Sequence, residues 1–181
     1  MSSPRVPLPA KLVVSILGNA DKNILKAKEL LEREFGPADF VSDVQPFDWT
    51  DYYGPEMGKP LVRRFIGFDR LVAADRLSEI KLFANDLEQT LSVSGKRAVN
   101  LDPGFLTQGS LVLATGKDRA HRIYLGKGIF ADLTLVYQNK SYRPLPWTYP
   151  DYACEEVIAH MNRIRLRYGQ QLKALGTFSE S

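Results

Sequence analysis

A single α/β domain is what this sequence predicts: a ferredoxin-like βαββαβ sandwich with an antiparallel sheet, extended by a β-hairpin and a long C-terminal helix. Three observations lead there. Of 181 residues, 44% are apolar and 25% charged, the make-up of a chain that folds around a core. Short β-branched runs and helical stripes succeed one another in the order β-α-β-β-α-β, the signature of a split βαβ sandwich. No apolar run approaches the roughly 18 residues of a membrane span, and the single cysteine excludes a disulfide framework.

The elements follow in order. Lys11–Gly18 is a β-branched run ending at glycine, the pattern of a strand buried on both faces. Asp21 is placed to cap a helix carrying Ile24, Ala27, Leu31 and Phe35 at helical spacing, which Gly36-Pro37 then stops. Phe40–Phe47 alternates as a second strand. Asp48–Pro60 is a loop, and Leu61–Leu71 resumes as a strand. A helix over Asp75–Leu91 presents Leu77, Ile80, Ala84, Leu87 and Leu91 on one stripe, and Arg97–Leu101 is a short strand before Pro103-Gly104. Phe105–Thr115 fits either a short helix or a strand. His121–Leu125 and Phe130–Tyr137 form a hairpin across Gly126-Lys127-Gly128, a composition suited to a bulged turn. After the stiff Pro144-Leu145-Pro146-Trp147, one helix spans Asp151–Leu175, with Cys154, Val157, Ile158, Met161, Ile164, Tyr168, Leu172 and Leu175 on its apolar side. Residues 1–10, with prolines at 4, 7 and 9 and no apolar h-region, read as a flexible lead; 11–175 is the domain and 176–181 a tail.

Composition also narrows function. A formal charge of +3 falls short of the basic footprint of a dedicated nucleic-acid binder. With one cysteine, a reducing compartment, the cytoplasm, is the simpler expectation. Cys154 reads as a small core residue, and His160, one step off the stripe of the last helix, as a surface or half-buried packing residue. The arginines 163, 165 and 167 do not form one basic face, and Glu155 and Glu156 at the start of that helix suit its dipole. No G-x-x-x-x-G-K-[ST] loop, G-x-G-x-x-G turn or G-x-S-x-G elbow occurs, and two histidines with one cysteine argue against structural zinc.

One polar segment remains. Lys117, Arg119, His121, Arg122 and Lys127 put five cationic or titratable groups within eleven residues, opposite a turn at Asn100-Leu101-Asp102-Pro103-Gly104. Arginine offers a planar fork to phosphate or carboxylate, lysine a point charge, and histidine a group titrating near neutrality. Glycines 104, 109, 116, 126 and 128 would let backbone N–H groups approach the same anion. The expectation is therefore a site for a small phosphorylated or carboxylated ligand, lined by Asn100, Asp102, Lys117, Arg119, His121, Arg122 and Lys127. A solvated charge run before a hairpin is the competing explanation. Asp69 and Asp102 at strand ends suit turn caps, with a shared divalent cation as the alternative. Trp49, Tyr52, Trp147 and Tyr149, in two proline-bearing loops, read as an aromatic lid with both tryptophans mostly buried. Stacking on a base is the other use of such rings, and with it comes the second functional class, a non-catalytic module binding RNA or protein. The loops echo each other, Trp49-Thr50-Asp51-Tyr52 against Trp147-Thr148-Tyr149-Pro150-Asp151-Tyr152, as short aromatic strings do by chance. Cofactor, reaction and oligomeric state are not written in the sequence.

Five strings carry a family resemblance: Y-Y-G-P-E-M-G (52 to 58), N-L-D-P-G-F-L (100 to 106), L-V-L-A-T-G-K (111 to 117), H-R-I-Y-L-G-K-G-I-F-A-D-L-T-L (121 to 135) and W-T-Y-P-D-Y (147 to 152). In this order they resemble an uncharacterised prokaryotic family, domain-of-unknown-function family 4416, over about Lys11 to Leu175. The resemblance implies no known activity and no catalytic residues. The GTP-binding label some members carry finds no P-loop in this chain.

Overall fold

All eight residues of Lys11–Gly18 are buried, and they form β1, the strand around which the sheet is laid. The computed structural model describes residues 3–176; Met1, Ser2 and the expected tail beyond Gly176 lie outside them. After β1 come α1 (Asp21–Phe35), β2 (Ala38–Val41), β3 (Gln45–Pro46), α2 (Gly54–Met57), β4 (Val62–Phe68), α3 (Leu77–Thr90) and β5 (Val99–Leu106). Then follow β6 (Ser110–Thr115), β7 (Arg122–Gly126), β8 (Ile129–Gln138), β9 (Ser141–Pro144), α4 (Pro150–Ala153) and α5 (Glu155–Ala174). The strands make one nine-stranded antiparallel sheet in the order β2-β4-β1-β5-β6-β8-β7, with β3 on β4 and β9 on β8. It is a larger sheet than a four-stranded sandwich extended by one β-hairpin, because β6 and β9 are strands as well and all of β6 to β9 belong to the same sheet.

Period-2 alternation on β1 divides the core in two. Leu12, Val14 and Ile16 face α1 and α3, where they pack with Ile24, Leu31, Phe35, Ile80 and Ala84. Val13 faces the other way, into Phe65, Leu106, Leu135, Tyr142 and the α5 residues Val157, Met161, Ile164, Tyr168 and Leu172. Lys11, fully buried, reaches Asp39 at 2.6 Å, the Phe68 carbonyl and Gln171. Burial pulls its pKa down and Asp39 opposes that.

Several expectations are corrected. Ala20, not Asp21, is the N-cap of α1; Asp21 is the first helical residue and its carboxylate takes Arg64 at 2.7 and 2.9 Å. The predicted strand Phe40–Phe47 is two short pieces: at Ser42 the backbone N–H still donates to the Phe65 carbonyl, but the Phe65 N–H turns to the Ser42 hydroxyl, and regular pairing resumes only at Gln45. The strand predicted to stop before Pro103-Gly104 runs straight through them. Pro103 stands level with Val14 of β1, and β6 pairs β5 only from Gly104 on. Proline sits where no ladder partner asks for its missing N–H. Phe105–Thr115 resolves as strand, turn and strand. The last helix is two, α4 and α5, separated at Cys154, whose extended backbone caps α5. Cys154 is only half-buried, and His160 is buried.

Candidate functional site

The sequence-predicted ligand residues fall into two groups. Asn100 and Asp102 lie on β5 level with Leu17 and Ser15 of β1, inside the strand. Here β5 has no strand on its outer side, and side chains satisfy the bare edge. Glu88 accepts the Leu101 N–H at 2.6 Å, and Lys81 donates to the Leu101 carbonyl at 2.7 Å. Arg97 links this edge to the first loop: it donates to both oxygens of Glu56 (2.8 and 2.7 Å), to Glu88 (3.2 Å) and to Asn100 Oδ1 (2.9 Å). Asn100 passes the chain on to Asp102 at 2.7 Å, and Lys81 approaches Asp102 at 3.4 Å.

Two carboxylates in this network are held away from their ordinary values. Burial pushes the Glu88 carboxyl up, against Lys81. The Arg97 guanidinium holds the Glu56 carboxyl down. Arg97, Lys81, Glu88 and Glu56 were not among the predicted residues. The available signal was a glutamate, Glu88, four residues after Ala84 on the apolar stripe of α3, where only a partnered carboxylate belongs.

The second group lies across the sheet. Arg122 donates Nε–H to Asp132 at 2.8 Å and a second N–H to the Lys117 carbonyl at 2.8 Å, so it braces the β7–β8 pair. Lys127 sits in the hairpin turn between two glycines, all three with positive φ, and pairs with Glu79 of α3 at 3.1 Å. Arg122 and Lys127 are thus already engaged with carboxylates, and the five cationic residues do not converge. Lys117 and Arg119 are exposed. His121 Nε2 is shielded, makes no hydrogen bond, and stands 3.5 Å from Asp132 Oδ2. Asp132, buried on β8, is the unpredicted partner of this group.

Aromatic residues from both loops meet it. The Trp147 indole stacks on the His121 ring, centroids 5.3 Å apart and planes 18° apart, while its N–H donates to the Leu133 carbonyl at 2.8 Å. The Lys117 ammonium stands 4.5 Å from the centre of the Tyr52 ring. Tyr52 in turn packs edge-on against Tyr53, 5.0 Å between centroids. Burial, then the charge of Asp102, raise the pKa of Tyr53, so Tyr53 and Tyr52 join the two groups. The lid is not buried, however: Trp49 is 50% exposed, Trp147 39%, Tyr52 61% and Tyr149 56%.

Below this rim Arg63 of β4 is buried among Phe47, Phe65 and Tyr152 and bonded to Asp151 at 2.5 Å. Burial and the nearby Asp102 keep the Tyr152 hydroxyl protonated. Asp69 and Asp102 do not meet. Asp69 follows β4 beyond the Val13–Gly67 pair and accepts from Gln171, whereas Asp102 lies two residues the other way along β1. Among the described residues no three His, Cys, Asp or Glu side chains gather as a metal-holding group, and no helix is long and apolar enough to cross a membrane.

A family model described as "Domain of unknown function (DUF4416)" matches residues 8–168. No curated protein and no solved structure matches the chain.

Proposed function

The chain belongs to the DUF4416 family, and from that premise, which brings no activity with it, we propose that it binds a small anionic ligand bearing a planar ring, of the nucleotide kind, on the rim formed by Lys117, Arg119, His121, Tyr52 and Trp147. One observation carries the reading. Two aromatic rings from separate loops lie against cationic or titratable residues of a single segment, Tyr52 on Lys117 and Trp147 on His121. Rings offer a stacking surface for a base, and the exposed ammonium and guanidinium offer charge to a phosphate. Arg122 and Asp132 take the role of bracing the segment. Asn100 and Asp102 belong to the Arg97 network on the β5 edge, and the charge of Asp102 acts on Tyr53.

The scaffold behind this rim we read as ferredoxin-like. The order β2-β4-β1-β5 with α1 and α3 in one core supports that reading, to which β6 to β9 and α5 are additions. A cytoplasmic setting is part of the same proposal, on the lone Cys154.

Fluorescence of a Trp49→Phe variant, which reports Trp147 alone, tests the site. Titration with a nucleoside monophosphate should change it saturably, and inorganic phosphate more weakly. Removing both charges, Lys117→Ala with Arg119→Ala, should weaken the nucleotide on the order of tenfold or more. Equal responses in parent and variant would leave the segment an ordinary solvated face. The exposed Trp49, Tyr52, Trp147 and Tyr149 favour one second reading, a module that stacks single-stranded RNA. Tight, sequence-selective binding of RNA at physiological salt would put that reading first.

A further inference from the structure

Helices α1 and α3 share a core with β1, β4 and β5, but the sheet continues beyond them as β6, β8 and β7. At that margin lies a half-open cavity of about 750 Å³. It is bounded by Pro7 and Leu8 of the N-terminal segment, by the start of α3, by the β5–β6 turn and by β7. Its volume falls within the roughly 300–1,000 Å³ of small-molecule sites. Its walls are apolar: Leu8, Leu77, Phe105, Val112, Leu125 and Ala131.

The polar atoms of the wall are engaged elsewhere, the Gln108 amide nitrogen excepted. Thr107 Oγ1 accepts the N–H groups of Gly109 and Ser110, and the Thr107 carbonyl accepts from Tyr142. The Gln108 carbonyl accepts from Arg165, and its amide nitrogen is buried beside Gly169 of α5 without a hydrogen-bond partner. The Tyr168 hydroxyl donates to the Pro9 carbonyl at 2.8 Å. A ligand here meets little demand for hydrogen bonds from these walls. Charge at the mouth is different. Asp75, exposed just before α3, lines the cavity and has no hydrogen bond or ion pair among the described residues. Its neighbours Arg76 and Lys127 share the one carboxylate of Glu79, and none of these three lines the cavity. The one unpaired charge in the lining is therefore negative.

We infer that this cavity is a second binding site, for a small amphiphilic amine: an apolar chain or ring against Leu77, Phe105, Val112 and Ala131, with a cationic head at Asp75. It is separate from the anionic site on the rim and does not rest on it. The carboxylate discriminates by sign, so an amine of given chain length binds better than the alcohol, and the alcohol better than the acid. Asp75 is exposed and screened, so each step is on the order of twofold to fivefold.

The test uses the full chain and three probes of one length, n-hexylamine, n-hexanol and n-hexanoate, followed by NMR at the Ala131 methyl and the Tyr124 ring. Saturable shifts in the order amine, alcohol, acid are expected. Asp75→Asn should bring the amine down to the alcohol, and Ala131→Phe should abolish binding of all three. Ala74→Leu fills the cavity from its other wall and replaces the phenylalanine variant if that one fails to fold. Absence of saturable shifts, equal affinity for the three probes, an order unchanged in Asp75→Asn, or undiminished binding in a folded filled variant would each overturn the inference.

Discussion

His160 carries a consequence for stability against pH. It is buried between the rings of Phe40 (5.7 Å) and Phe65 (6.2 Å), with Nε2 3.3 Å from Gln45 and Nδ1 unpartnered. Burial lowers its pKa, and Arg163 adds to that; Arg63 lowers it further, while Glu156 and Asp43 oppose. The native state therefore resists a proton that the unfolded chain accepts from about pH 6.5 downward. Stability from this residue is full above that pH and is lost as pH falls toward the folded value, by at most about 1.4 kcal/mol per pH unit. Urea unfolding at pH 7.5 and 5.5 should show a drop that His160→Gln reduces; an identical drop in the variant would contradict it. The effect is separable from the carboxylates of Asp21 and Glu56, which arginines hold below their ordinary values and which act at lower pH. The sequence places His160 just off the apolar stripe. In the structure His160, three residues after Val157 and four before Ile164, is buried with them and is on it.

Among the elements, β5 departs furthest from local expectation. Pro103-Gly104 has the chemistry of a turn, and pairing with β1 throughout, joined by β6 from Gly104 on, keeps the strand extended through it. Gly104 is there because β6 lies close: a Cβ would stand 2.7 Å from the Val112 carbonyl and 2.7 Å from the Leu113 side chain. Gly104→Ala should cost about 1–3 kcal/mol by overpacking, which for a chain this long lowers Tm by roughly 2–4 °C per kcal/mol. A calorimetric Tm equal to that of the parent would show that the β5–β6 pair yields without strain. The α4–α5 break is similar in kind. The apolar spacing of 154 to 175 continues without interruption, but Tyr152 and Asp151 are drawn to Arg63 on β4, and Cys154 turns extended to allow it.

At the scale of the molecule, one sheet separates two cores, and β1 supplies both. Val14 and Val13 are adjacent residues buried in opposite layers, so neither layer loses its packing without exposing the other face of the same strand. Ile24→Ala in the α1 layer and Ile164→Ala in the α5 layer should each cost about 2–5 kcal/mol. Both should shift a single transition, with tryptophan fluorescence and far-UV circular dichroism coinciding. Two separated transitions in either variant would mean that the α5 layer unfolds by itself.

What the sequence determined by itself is what local pattern encodes. Apolar periodicity placed β1, α1, α3 and the apolar stripe of α5, and Gly126-Lys127-Gly128 placed the hairpin turn, because backbone geometry dictates those spacings whatever the neighbours are. The mixed α/β class follows from their order. Tertiary structure alone decided which strands share the sheet, since pairing of β6 with β8 depends on contacts distant along the chain. It also decided the fate of charge. Arg122 and Lys127 look free in sequence and are bound to Asp132 and Glu79, while Lys117 and Arg119 stay exposed. A side chain's availability depends on what stands within a few ångströms of it. The approach of Tyr52 to Lys117 and of Trp147 to His121 is of that kind, brought about by two loops nearly a hundred residues apart.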